Sequence, residues 1–271
     1  MRERFDFESA RLDIADFDGT MYDTFEQNSA LGIYGIDEAY RLSIERTLFF
    51  DKDALKKYAD EGEHQNRTPL EIINSLVPNC TPQGLELLTA NLVRAKLDIL
   101  ENQIGKQLHD KVSWPRPMPG FVEYSQTITE ANTKGASIDR AILSAGHASF
   151  IRKCLAMSGL EQPEIMITDE TIRGLNSSLS PGKLSKPELM PLLLAKLQWL
   201  SLYDREGSVD INDPEVNQRI IVIGDSDEKD GGLARNAGVS FIHVTPENSA
   251  SAWLSLQYIH TIGSTAVSHV R

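Results

Sequence analysis

In the stretch RLDIADFDGTMYDT, Arg11 to Thr24, four aspartates (Asp13, Asp16, Asp18 and Asp23) crowd around a Gly-Thr pair. Like charges held that close cost free energy unless something positive neutralises them. The residues before Asp18 alternate apolar and polar and predict a β-strand over 11–17 that ends at the Asp pair. Carboxylates at the carboxyl end of a parallel strand face the crevice where open α/β sheets bind ligands. Asp16 and Asp18 have two chemical uses there. They can hold a hard cation such as Mg²⁺, which takes carboxylate and carbonyl oxygens. Alternatively, one attacks as nucleophile while its neighbour shuttles protons. The plain alternative is a solvated turn, since Asp and Gly favour turns. An EF-hand is excluded, because its Asp/Asn spacing and terminal Glu are absent.

Three further segments carry candidate chemistry. In IVIGDSDEKD an apolar run ends at Gly224 and is followed by Asp225, Asp227, Glu228 and Asp230. Asp225 and Asp230 are set to turn inward on one ion, and two acidic strand ends in one sheet favour a shared metal site over coincidence. In LSAGHASF, Ser144 ends a strand and Ala145 leads into a helix. A hydroxyl beside free backbone N–H groups makes an anion site, although a plain N-cap serine is the simpler alternative. His147 reads as a helix-start residue, with contact to a substrate as the alternative. In PGKLSKPEL the Ser185–Glu188 spacing matches a capping box and places Lys186 at a helix start. A cation at the positive end of a helix dipole is unfavourable unless an anion lies between, which points to a functional lysine. Pro191 fits poorly inside a helix that begins at Pro187, and Lys183 is a nearby competitor.

The elements that must position these groups follow an α/β rhythm. AILSAG (141–146), EIMIT (164–168), RIIVIGD (219–225) and VSFIHV (239–244) are short apolar strands separated by helical candidates, which predicts a parallel sheet. From Asp37 to about Gln107 the apolar spacing is helical, with TPLE at Thr68–Glu71 as a capping box, until the proline-rich SWPRPMPG at 113–120. This block is expected to be a helical insertion over 23–117, with 1–22 and 118–271 forming the α/β core. The acidic loop 203–218 is expected to be a solvated excursion. Trp114 and Trp199 are expected to pack, and His64, His109, His243, His260 and His269 lack ligand spacing.

Composition narrows the class. The 271 residues are 41% hydrophobic and 24% charged, values of an ordered globular chain. With 27 Lys plus Arg against 39 Asp plus Glu, the net charge of −12 disfavours nucleic acid and anionic membrane surfaces as partners. Cys80 and Cys154 are isolated, which argues against a disulfide framework or a zinc cluster and for a reducing cytoplasm. The start MRERFDFESA has no long apolar segment, so no secretory leader is expected there. LMPLLLAKLQWL is too short to span a bilayer.

Taken in order, Asp-x-Asp-Gly-Thr, Ser, Lys-Pro and Gly-Asp-Ser…Asp each follow a strand. This series resembles the phosphatase-like branch of the haloacid dehalogenase superfamily. DFDGT with Asp23 is the most specific match. LSAG, GDSDEKDGGLARNAGV and MPGFVEY fit in context, so the resemblance spans residues 11–22 and 118–245 and leaves the insertion undecoded. It implies a Rossmann-like parallel-sheet core with an inserted α-helical cap that closes over the site. It also implies a Mg²⁺-dependent phosphatase acting on a small phosphorylated metabolite. Asp16 would be the nucleophile that forms an aspartyl-phosphate, and Asp18 the acid and base. The Asp16 side chain, the Asp18 carbonyl and Asp225 would hold Mg²⁺. Ser144, Ala145 and Lys186 would bind the phosphoryl group, with Thr20 and Asp230 in support. A phosphomutase and a non-catalytic binding protein on the same scaffold are the alternatives.

Overall fold

The computed structural model describes residues 7–48, 73–74, 76–77, 79–168, 170–172, 186–203 and 209–268. The Thr68–Glu71 capping box, Lys183, Ser185, His64 and His269 lie outside these residues. The chain forms two compact units, Met1–Asp23 with Arg116–Arg271, and Thr24–Pro115.

The first unit is built on a five-stranded sheet. Strands β1 (Arg11–Ala15), β4 (Ile138–Leu143), β5 (Ile165–Ile167), β6 (Ile220–Gly224) and β7 (Ser240–His243) lie in the order β5-β4-β1-β6-β7. All four pairings are parallel. β1 is therefore central and buried on both faces. Leu12 and Ile14 join a core that includes Leu192, Trp199 and Val222. Asp13 and Ala15, on the alternate face, line a small cavity with Phe121, Tyr124 and Trp253. Between the strands run helices α3 (Phe121–Thr133), α4 (Ala148–Met157), α5 (Met190–Leu202), α6 (Pro214–Asn217) and α7 (Gly232–Ala237), and α8 (Ser249–Ser268) follows β7. A short antiparallel pair, β2 (Tyr22–Asp23) with β3 (Arg116–Pro117), marks where the chain leaves and re-enters this unit.

In the second unit, helices α1 (Ile36–Leu48) and α2 (Pro82–Glu101) bury Ile44 and Leu92 around Ile73. The α2 start is specified locally: Thr81 Oγ1 accepts the Gly84 N–H at 3.1 Å, and Pro82 occupies the first turn, where its missing N–H costs nothing.

Two expectations need correction. The helix after Lys186 begins at Met190, with Pro191 in its first turn, so residues 185–188 are not its cap. Pro191 is tolerated there because first-turn N–H groups have no partner inside the helix. The 203–218 segment is also not merely solvated. Val216 on α6 is buried in the core, and the Ile211 carbonyl oxygen accepts from Lys196 Nζ at 3.2 Å. Lys196 is buried, and burial pulls its pKa down.

Candidate active site

The four crowded aspartates separate once the chain folds. Asp13 points to the α3/α8 face, where its Oδ2 accepts from Tyr124 Oη at 2.5 Å and lies 2.6 Å from His260 Nε2. Asp23 lies on β2, 3.7 Å from Arg116. Asp16 and Asp18 remain at the carboxyl end of β1.

Asp16 follows the last residue of β1, and its N–H donates to Ile223 O on β6 at 2.9 Å, so the ladder fixes its backbone. Its Oδ1 accepts the Phe17 N–H at 2.8 Å. The chain then turns at Gly19, whose φ of +72° suits glycine, and the Gly19 N–H closes the turn on Tyr22 O at 2.8 Å. Tyr22 anchors this turn: its hydroxyl donates to Cys154 O at 3.0 Å and lies 2.8 Å from the Ser158 hydroxyl, which can donate to it. Thr20 is fully buried inside it, and its Oγ1 has no hydrogen-bond partner among the described residues.

Lys186 bridges the two acidic segments. Its Nζ lies 3.0 Å from Asp16 Oδ2 and 2.6 Å from Asp230 Oδ1. The lysine is placed by its neighbour Pro187, whose carbonyl accepts from Asn236 Nδ2 at 3.1 Å and whose ring sits where a Cβ on Gly232 would meet it at 2.9 Å. Asp230 is carried on a single π-helical turn, Asp227–Gly231, and its Oδ2 accepts the Ser226 N–H at 3.2 Å. Gly224 makes this approach feasible: a Cβ there would stand 2.2 Å from Asp230 Cγ. Asp227 turns away to Arg235, at 2.9 Å.

Ser144 follows β4, is 3% exposed and accepts the Gly146 N–H at 3.0 Å. A Cβ on Gly146 would meet Ser144 Oγ at 3.1 Å and Asp18 Oδ2 at 3.5 Å, so these two groups flank the same glycine. Ala145 is exposed. The expected free N–H at the start of α4 is partly used: Glu170 accepts from Ala148 N at 3.3 Å and Thr168 Oγ1 at 2.8 Å. His147 is the N-cap residue and is buried, with Nδ1 3.0 Å from Glu170. Burial raises the Glu170 pKa, but the His147 and Thr168 bonds outweigh it and bring it to about 2.

The electrostatics show an unmet need for positive charge. Burial is the largest influence on Asp16 and lifts its pKa to about 7. Lys186 opposes this, while Asp230, Asp18 and Asp225 reinforce it. Asp225 is raised too, by burial and then by Asp230. On Lys186 burial acts downward, yet Asp16 and Asp230 overcome it and hold the ammonium above its ordinary pKa. One ammonium thus serves three carboxylates. Asp16, Asp225 and Asp230 each offer an oxygen, and these lie within 4.8 Å of one another. Octahedral Mg²⁺ ligands stand about 2.9 to 4.1 Å apart, so the donor type and excess negative charge suit a small hard cation, which would draw the three oxygens inside their 4.8 Å span.

The fold can now be placed among known ones. β-Phosphoglucomutase from Clostridium difficile is similar over 93% of this chain and 99% of that one, with a TM-score of 0.52 at 11% identity. CbbY from Rhodobacter sphaeroides, solved in complex with phosphate, is similar over 87% and 86%, with a TM-score of 0.51 at 14% identity. The chain has the haloacid dehalogenase-like fold. A haloacid dehalogenase-like hydrolase from Bacteroides fragilis is also similar, over 90% and 93%, at 21% identity with a TM-score of 0.49. No protein-family model and no curated protein sequence matches the chain. Among the described residues no helix is long and apolar enough to cross a membrane.

Sequence reasoning missed the glycines that admit the functional side chains, and Glu170. Gly224 was detectable: a glycine between a buried strand and an acidic turn signals a close approach that a Cβ would block.

Proposed function

We propose that this chain is a Mg²⁺-dependent phosphatase that hydrolyses a small phosphorylated metabolite through an aspartyl-phosphate on Asp16. The observation that carries this reading is the Lys186 ammonium held between Asp16 and Asp230, with Asp225 in reach of both. A solvated turn would not bury a lysine between carboxylates from two distant segments. The phosphate-bound CbbY and β-phosphoglucomutase, which share this fold, support phosphoryl chemistry.

In the proposed reaction Lys186 and the Ser144 hydroxyl hold the phosphoryl oxygens. The Ala145 backbone N–H, in the turn after β4, joins them. An Asp16 oxygen attacks phosphorus as the bond to the ester oxygen breaks, and Asp18 donates its proton to the leaving alcohol. Asp18, now a carboxylate, takes a proton from water as that water attacks the acyl phosphate. Inorganic phosphate leaves and Asp16 is restored. The Asp16 and Asp225 carboxylates and the Asp18 carbonyl would hold Mg²⁺, whose charge would keep Asp16 ionised and offset its repulsion of the phosphate. Thr20 and Asp230 support the turn and Lys186 respectively. In this reading the 23–117 segment is the cap that selects the substrate.

The test is turnover of p-nitrophenyl phosphate with Mg²⁺, with EDTA and in Asp16→Asn. Activity lost in both latter cases is the expected result; full activity in either one refutes the mechanism. Conversion of a sugar phosphate to its isomer without phosphate release would assign the phosphomutase reading instead. No turnover across a broad phosphometabolite panel would leave a binding protein.

A further inference from the structure

His243 lacks ligand spacing in the sequence, but the fold gives it a definite neighbour. In the β6–β7 ladder it pairs with Gly224, and the next N–H along, that of Val244, donates to Gly224 O at 2.9 Å. The imidazole reaches one residue further, placing Nε2 2.8 Å from the backbone oxygen of Asp225. A carbonyl oxygen only accepts, so Nε2 carries the proton in this contact. The ring is fixed from behind. It stacks on Phe241 with centroids 5.9 Å apart and an interplanar angle of 26°. The His243 carbonyl accepts from Asn248 Nδ2 at 3.0 Å, and Asn248 Oδ1 in turn accepts the Thr245 N–H at 2.7 Å.

We propose that His243 is a positioning residue for Asp225: its imidazole N–H fixes the Asp225 peptide, and so the direction in which that carboxylate meets the cation. This rests on the assignment of Asp225 as a metal ligand made above. The physical need is plain. Asp225 stands just past the last ladder residue of β6, where strand pairing no longer holds the backbone. A ligand must be kept within about 0.5 Å of its working position by groups that are themselves locked. The neighbouring Ser226 N–H is already taken by Asp230, so the two sides of the Asp225–Ser226 peptide are held by different partners. The ring makes this bond at the exposed end of β7, so its loss leaves the buried core intact.

The experiment titrates Mg²⁺, with Mn²⁺ as a second probe, into the full-length chain without substrate and reads affinity by calorimetry. His243→Phe keeps a ring on Phe241 but removes the donor; His243→Gln keeps an N–H donor of similar reach. Partners bonded directly to a ligand side chain change metal affinity by about 10- to 100-fold. Acting through the main chain, His243→Phe is expected to weaken it by about 3- to 10-fold. His243→Gln should return most of that loss, and the metal-free melting temperatures should stay close to wild type. Wild-type affinity in His243→Phe, or equal weakness in the Gln variant, overturns the proposal. His243→Ala replaces the Phe variant if that chain does not fold. Asp225→Asn separates the two levels. Lost binding there with an unaffected His243→Phe removes only the His243 role. Undiminished binding in Asp225→Asn removes the metal-site reading itself.

Discussion

Replacing Asp13 should destabilise the core far more than it disturbs the chemistry, although Asp13 stands three residues before the proposed nucleophile. Asp13 is 2% exposed on the central strand, and its Oδ2 holds both Tyr124 and His260. Burial first, and the Asp13 charge second, push the Tyr124 pKa well above its ordinary value, so the phenol stays a donor. Asp13→Ala would strand a phenol and an imidazole in a dry interior. Each buried donor left without its acceptor costs about 1–3 kcal/mol. The phenol and the imidazole share one network and their losses do not simply add, so a loss of about 2–5 kcal/mol is expected. Asp13→Asn keeps an acceptor for Tyr124 and should lose about 1–3 kcal/mol. The triple change Asp13→Leu, Tyr124→Phe and His260→Phe removes every orphan and should be milder than Asp13→Ala. Urea unfolding at pH 7 in EDTA, followed by near-UV circular dichroism, measures each value. Phosphatase assays on the folded fraction should show Asp13→Asn active and Asp16→Asn inactive. A loss below about 1 kcal/mol in Asp13→Ala refutes the reasoning, because a buried, doubly bonded carboxylate cannot be that cheap to remove.

Other expected outcomes concern the site itself. The Asp16 pKa, raised to about 7 from 3.8, means the folded metal-free protein keeps a proton that the unfolded chain releases. Stability from this group is therefore fully present below pH 3.8 and is lost as pH rises through about 7. In EDTA, Asp16→Asn should melt higher than wild type at pH 8, with the gap closing towards pH 5; the reverse trend in scanning calorimetry contradicts it. Gly224→Ala should cost about 1–3 kcal/mol by overpacking against Asp230 and lower kcat more than 100-fold, about 3 kcal/mol. Near-normal turnover would show that Asp230 can move. Glu170, brought to about 2, contributes stability present above pH 4.5 that is lost as pH falls through about 2. Because it is about half exposed, Glu170→Gln should cost only about 1 kcal/mol at pH 7, read from the same melts.

Much of this architecture was legible because apolar runs and strand-end polar residues are local signals. The five sheet strands stand within a few residues of where periodicity put them, and parallel pairing explains why each run is continuously apolar. Asp16, Asp230 and Lys186 drew attention through charge in the wrong setting, which is a sequence-level anomaly. What stayed hidden was tertiary. Nothing near Asp13 in the chain says that His260, 247 positions away, will reach it. Lys186 looked like a helix-start lysine because Ser185 and Glu188 have capping spacing, whereas packing of Pro187 on Gly232 decided its place. His243 carried no signal at all, since its role depends on strand register rather than on its own neighbours in sequence.

The lysine bridge also dictates a sequence of events. Above pH 7, where Asp16 is ionised, the Asp16, Asp225 and Asp230 carboxylates outnumber the single Lys186 ammonium even before Asp18 is counted, and under the proposed function a phosphoester brings negative charge of its own. Under that proposal the pocket repels the ester until a divalent ion has entered. Initial-rate kinetics should therefore follow a compulsory order, with the cation loading before the ester and outlasting the released phosphate.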